Sequence, residues 1–166
     1  MAGKKVFLCY ANEDQYRLPP LLAAFTAWDL TPTVLAPATQ PPGQLLPKTT
    51  GQIHDCEVYV RFCTGMTRGS PQVALADAAF RQLLEKDRGR GRSAERKLVN
   101  VILDPAYIPT EEEKATLYID TAGKTRELWF EELAVPLGVA TLTQRVSRRA
   151  LLGMGVGAAV AVVSGG

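Results

Sequence analysis

The sequence VFLCYANED, residues 6–14, is the strongest indication of the fold class of this chain. A short apolar run ends abruptly in polar residues, which is typical of a fully buried strand in a parallel sheet. We expect Asp14 to cap a helix that begins at Gln15. Because ligands bind at the carboxyl ends of strands in open α/β sheets, residues 10–13 are expected at the rim of a site. The alternative is an ordinary first strand followed by an ordinary loop.

The rest of the chain alternates helical and strand patterns up to about residue 140. Apolar residues recur at helical spacing in residues 16–30, and several short apolar runs have the length of strands. The pattern predicts strands at 33–36, 57–63, 98–103 and 115–120, and further helices at 45–55, 71–87 and 126–137. This alternation indicates an α/β fold: a central parallel five-stranded sheet with helices on both faces.

Two helices have informative sequences. Ser70 followed by Pro71 is a strong start signal, because serine caps a helix and proline suits its first position. In the last helix, one side is predicted to face the core, namely Leu128, Trp129, Leu133 and Leu137.

Composition limits the possible functions. The chain has 166 residues, 46% of them hydrophobic, and a net charge of +2, which suits one globular domain and gives no electrostatic case for nucleic acid. The basic cluster at 86–97 is interpreted as a solvated loop. Cys9, Cys56 and Cys63 lack metal-binding spacing and suggest small buried residues in a reducing compartment, and a lone His54 cannot organise a metal site. We therefore expect no metal.

Four segments, taken in order, carry a resemblance to a known family. FLCYANED (7–14) is an apolar strand that ends in a tyrosine and an acidic turn, and residues 39–46 form a loop with proline and glycine. DCEVYV (55–60) opens the third strand, and ELWFEEL (127–133) places a tryptophan in the last helix. Over residues 4–139 the chain resembles a bacterial Toll/interleukin-receptor (TIR) domain. The resemblance implies a flavodoxin-like three-layer fold.

The resemblance also implies a chemistry, because many TIR domains cleave NAD⁺ at its glycosidic bond. Departure of nicotinamide builds oxocarbenium-like charge, which a nearby carboxylate stabilises. In the family this carboxylate is a glutamate on the helix after the third strand, in a Ser-x-Trp-x-x-x-Glu pattern often continued by Ala-Phe. NAD⁺ or a related nucleotide would be the substrate, and no cofactor is implied.

Laid on this chain, the pattern begins at Ser70 but puts Gln72 at the tryptophan position and Ala76 at the glutamate position. Three interpretations remain open. The chain is an engineered inactive form, or it is naturally non-catalytic, as Gln72 suggests, or Asp77 replaces the glutamate. The last is disfavoured because one step along a helix turns a side chain by about 100°. With glutamate at 76 the chain would be an NAD⁺ nucleosidase; as written, we expect it to be inactive.

Residues from several loops would contact the substrate if the resemblance holds: Tyr10, Ala11, Asn12, Pro41, Gly43, Cys63, Ser70 and Gln72. Residue 76 is expected to point into a cleft beneath Tyr10 and the proline-rich loop. Other carboxylates are not expected to be catalytic, since Glu13 lies in a solvated turn, Glu85 lies far along its helix, and residues 111–113 are the charged start of a helical turn.

The end of the chain differs from the rest. Residues 1–140 are assigned to the TIR-like domain, 141–149 to a basic linker, and 150–166, which carry no charge, to the start of a truncated transmembrane helix. The arginines before it predict that the domain lies on the cytoplasmic side of the inner membrane. A twin-arginine export signal and a final helix packed on the domain are the alternatives.

Three functions are consistent with the α/β pattern of the sequence. The first is a membrane-anchored bacterial immune or stress effector that self-associates through TIR–TIR contacts and hydrolyses NAD⁺ when residue 76 is glutamate. For these TIR–TIR contacts the resemblance implies the loop at 37–46 as the assembly surface. The second is a non-catalytic protein-interaction module. The third is a flavodoxin-like receiver or nucleotide-binding domain, which would need a glycine turn after the first strand, where residues 10–13 have none.

Overall fold

The computed structural model describes residues 4–91 and 96–139. Five strands are present: β1 (Val6–Cys9), β2 (Thr33–Val34), β3 (Val58–Cys63), β4 (Lys97–Ile102) and β5 (Leu117–Asp120). The helices are α1 (Leu18–Ala27), α2 (Pro47–Asp55), α3 (Pro71–Gly89), α4 (Glu111–Lys114) and α5 (Arg126–Ala134). Short 3-10 helices span Asn12–Arg17 and Pro37–Thr39.

The strands form one parallel sheet in the order β2-β1-β3-β4-β5. The predicted α/β fold with a central five-stranded parallel sheet is therefore confirmed. Strand order changes direction between β1 and β3, because the chain moves to β2 on one side and then crosses to β3 on the other. That point is where open α/β sheets usually bind ligands.

Alternating side chains of β1 and β3 divide the core between the two faces of the sheet. On one face Tyr59 stacks between Phe7 and Phe80 of α3, with ring centroids 5.6 and 4.5 Å apart. On the other face lie α1 and α5, where Trp28, directly after α1, meets Phe130 edge to face at 6.3 Å. The sheet thus has helices on both sides.

Two local predictions are wrong. Asp14 does not cap a helix at Gln15, because the chain first makes a 3-10 turn and the buried Asp14 carboxylate instead accepts a hydrogen bond from the Thr64 hydroxyl at 2.6 Å. Leu128 does not face the core and is 48% exposed, since α5 turns Leu133 and Ala134 inward and ends there. Leu137, beyond the helix, is buried as predicted.

No helix within the described ranges is long and apolar enough to cross a membrane. The predicted span at 150–166 and the basic linker at 141–149 lie outside those ranges, so both stay predictions. The basic cluster at 86–97 lies partly inside α3, and Arg96 is bonded to Asp87 at 2.6 Å rather than solvated.

Candidate functional site at the carboxyl edge of the sheet

The predicted substrate-contacting residues do not converge on one cleft. Among the predicted residues, only Tyr10 lines a sizeable cleft, which has a volume of about 350 Å³. Burial raises the pKa of Tyr10, and a backbone hydrogen bond from Ala36 partly offsets this effect. The buried Ala11 holds the first turn through its carbonyl, which accepts from the Asp14 amide at 2.9 Å, whereas Asn12 is exposed.

The alternation of side chains in β1 explains why Tyr10 and residue 76 are apart. The thiol of Cys9 lies 3.8 Å from the carboxylate of Asp77, so Cys9 faces α3. Tyr10 points to the opposite face, where it shares the cleft with Trp129 and Phe130 of α5. The prediction that residue 76 lies beneath Tyr10 is therefore wrong.

The start of α3 agrees with the sequence prediction, but position 76 does not. The Ser70 hydroxyl accepts from the amide of Val73 at 3.3 Å, which confirms the predicted cap. Ala76 is 0% exposed and shares the buried face of α3 with Val73 and Phe80. A carboxylate at this position would be placed among apolar side chains, where an unpaired charge is strongly unfavourable. Gln72 is half-buried on the same helix.

The loop between β2 and α2, residues 37–46, is held from inside by one buried side chain. The amide of Gln40 donates to the Leu35 carbonyl at 2.9 Å and to the Thr49 hydroxyl at 3.0 Å, and its oxygen accepts from the Leu46 amide at 2.8 Å. Gly43 has a φ of +76°, which favours glycine. Pro41 is half-buried, while residues 42–44 are exposed. The loop therefore presents an exposed tip on a fixed base.

A buried ionic network occupies the face of the sheet toward α3. Arg61 of β3 donates through Nε to Asp77 at 2.8 Å and through a terminal nitrogen to Glu113, and its side chain is 11% exposed. Asp77 also accepts from the Tyr59 hydroxyl at 2.7 Å. Because these bonds engage Asp77, the interpretation that Asp77 supplies the missing catalytic carboxylate has no support from its position.

Glu113 completes this network from α4. Burial acts to raise the pKa of its carboxyl, but hydrogen bonds from the Tyr107 hydroxyl and the Thr110 amide, together with the charge of Arg61, lower it to about 2. The carboxylate also accepts from Arg68 at 3.1 Å, and Thr110 and Glu113 form a capping box. Glu113 is therefore ionised at neutral pH, and its contact with Arg61 of β3 joins α4 to the sheet.

Cys63, which the resemblance places at the substrate, is part of the same network. Its buried thiol receives a hydrogen bond from Arg61 at 3.2 Å and contacts the side-chain oxygen of Asn100 at 3.7 Å. Burial raises the pKa of Cys63 to about 11 despite the charge of Arg61. The thiol is therefore protonated at neutral pH and is a poor nucleophile.

One feature of the sequence signals this network. Arg61 interrupts the apolar strand sequence VYVRFC, and a charge in the middle of a buried strand requires a buried partner. The partners themselves, Asp77 and Glu113, come from two different helices, so sequence spacing could not identify them. Within residues 4–91 and 96–139, no group of three or more His, Cys, Asp or Glu side chains could hold a metal ion.

No protein-family model, no curated protein and no solved structure matches this chain. The α/β architecture therefore rests on the parallel sheet of the structure. The TIR resemblance rests on the sequence segments quoted above.

Proposed function

We propose that this chain is a TIR-like self-association module whose contact surface is the loop at residues 37–46, and that it does not hydrolyse NAD⁺ as written. The parallel sheet with helices on both faces is the scaffold that the TIR resemblance implies. The predicted membrane segment at 150–166 would hold such modules on the cytoplasmic side of a membrane, as in a bacterial immune or stress effector.

The observation that carries the proposal is the internal support of the loop by Gln40. Its side chain is 8% exposed and forms hydrogen bonds at both the donor and the acceptor end. A loop that is already ordered loses less conformational entropy when a partner binds it. The exposed tip at residues 42–44 and the 37% exposed Leu46 then offer a second copy a surface of defined shape.

The position of residue 76 favours the interaction module over the enzyme. Glycosidic cleavage needs a carboxylate beside the ribose, and Ala76 is enclosed by the core. The two acidic side chains of the buried network, Asp77 and Glu113, are engaged by Arg61. In this proposal these groups stabilise the scaffold and take no part in catalysis.

A charge at the tip of the loop tests the assembly surface. Pro42→Glu should weaken self-association of the full chain, because the new charge would lose its hydration when a second copy covers the loop. The matched control is Pro105→Glu, which places the same charge on an exposed proline after β4. Sedimentation velocity over a range of concentrations measures association. Equal association of both variants and the unmodified chain would exclude the loop as the contact surface.

The NAD⁺ activity is tested separately by Ala76→Glu. We expect a less stable protein that releases no nicotinamide from NAD⁺, because the new carboxylate would lie in the apolar core. The unmodified chain and Asp77→Asn are assayed alongside, which covers the possibility that Asp77 acts. Nicotinamide release by the unmodified chain, or by folded, assembled Ala76→Glu, would overturn the non-catalytic assignment. Loss of the unmodified chain's release in Asp77→Asn would assign that activity to Asp77.

A further inference from the structure

The cleft that contains Tyr10 lies at the carboxyl edge of the sheet, on the face covered by α1 and α5. Phe62 at the end of β3 and Leu103 after β4 line it together with Leu18 and Pro20 of α1. It opens next to β1 and β3, where strand order changes direction and where open α/β sheets bind ligands. Its volume of about 350 Å³ lies within the usual range for small-molecule sites.

Aromatic side chains form part of the wall of this cleft. Trp129 and Phe130 of α5 meet at 4.5 Å between ring centroids, and both line the opening. Tyr16 stands at the rim and is 70% exposed. Flat apolar walls of this kind suit a planar ring, which can stack on an aromatic face.

Two arginines give the opening a positive charge. Arg17 lies 5.2 Å above the ring of Tyr16 and contacts Asp14 at 3.3 Å, so its charge is partly balanced. Arg126 is exposed at the start of α5, and in the part of the chain that the structure describes it takes part in no salt bridge. The one acidic residue of the lining, Asp14, already accepts from Thr64 at 2.6 Å. An anionic group would therefore find a cation available at Arg126.

We propose that this cleft binds a small molecule that combines a planar ring with an anionic group, of the nucleoside monophosphate class, with the ring against Trp129 and Tyr16 and the phosphate at Arg126. The site lies outside the loop at residues 37–46 and on the face of the sheet opposite Ala76. It is thus separate from the assembly surface and from the position of the family glutamate. Ligand binding at this site would give the module an input other than the protein concentration that drives its self-association.

Adenosine monophosphate (AMP) is the first probe, with adenosine and inorganic phosphate as its two halves. Isothermal titration calorimetry of the full chain measures affinity, and quenching of tryptophan fluorescence in Trp28→Phe, where Trp129 is the remaining tryptophan, reports entry into the cleft. We expect AMP to bind more tightly than either half, because each half meets only one part of the site. Absence of heat and of quenching at millimolar AMP would overturn the proposal, as would binding of adenosine as tight as that of AMP.

Substitutions then locate the ligand. Arg126→Ala should weaken AMP binding about tenfold or more, since a charge-assisted contact is lost, and should leave adenosine binding unchanged. Tyr16→Ala should weaken both AMP and adenosine. Arg88→Ala is the matched control, an exposed arginine on α3 away from the cleft, and should bind AMP as the unmodified chain does. Unchanged AMP affinity in Arg126→Ala would overturn the assignment. Pro42→Glu should bind AMP normally, which separates this test from that of the assembly loop.

Discussion

Replacing Glu113 by glutamine should remove most of the acid sensitivity that the buried network gives to this fold. Glu113 is 8% exposed and is held by Arg61, Arg68 and Tyr107. Glutamine has nearly the same shape, but it carries no charge for the two arginines and cannot be protonated in the acid range. The substitution therefore tests the charge of this side chain with little change in packing.

The lowered pKa of Glu113 sets both the size and the pH range of the effect. A shift from 4.5 to about 2 corresponds to roughly 3 kcal/mol of stability, because each pKa unit is worth about 1.4 kcal/mol. The folded-state pKa lies below the unfolded one, so this contribution is fully present above pH 4.5. It is lost progressively as the pH falls from about 4.5 to about 2.

Urea unfolding followed by the fluorescence of Trp28 and Trp129 measures this contribution at a series of pH values between 7 and 2. Glu113→Gln should be less stable than the unmodified protein at pH 7, and the gap should close toward pH 2. Glu111→Gln, whose side chain is 92% exposed on the same helix, should follow the unmodified protein. A constant gap between Glu113→Gln and the unmodified protein across this range would refute the argument.

Three further predictions concern the scaffold. Ser70→Ala should lower the free energy of unfolding by about 1 kcal/mol through loss of the α3 cap, and Ser70→Asp should restore it, both measured by urea unfolding; equal stability of all three proteins would contradict the cap. Phe80→Ala should cost about 3–5 kcal/mol because it removes the ring stacked on Tyr59, and a cost below 1 kcal/mol would contradict the packing. The thiols of Cys9, Cys56 and Cys63 should react with a thiol reagent at pH 8 only after unfolding, because burial encloses all three and raises their pKa values, in the case of Cys56 to about 12; rapid reaction of the native protein would contradict their burial.

The sheet was predictable because each strand has a clear local pattern. Apolar runs such as Val6–Cys9 are buried along their whole length, which marks interior parallel strands. Pro71 and Ser70 likewise fix the start of α3 from sequence alone. The fifth strand was predicted two residues too early, because Ala115 and Thr116 follow the α4 turn that the Thr110 cap starts.

The candidate site was much less predictable, because it depends on which face of the sheet each side chain takes. Residue 76 was expected beneath Tyr10, yet Cys9 at the end of β1 faces α3 and Tyr10 therefore points to the other side of the sheet. The cleft residues Arg17 and Arg126 are far apart in sequence and share no motif. They share one opening because the end of the 3-10 helix at Asn12–Arg17 and the start of α5 both line the same cleft.

Sedimentation velocity of Gln40→Ala tests whether this chain acts by association through a loop that Gln40 holds in shape from within. Gln40→Ala removes the hydrogen bonds to Leu35, Leu46 and Thr49, and Gln82→Ala on the exposed side of α3 is its control. We predict that the unmodified chain and Gln82→Ala associate with rising concentration, and that folded Gln40→Ala associates at least tenfold more weakly. Association of Gln40→Ala equal to that of the unmodified chain would contradict assembly through this loop.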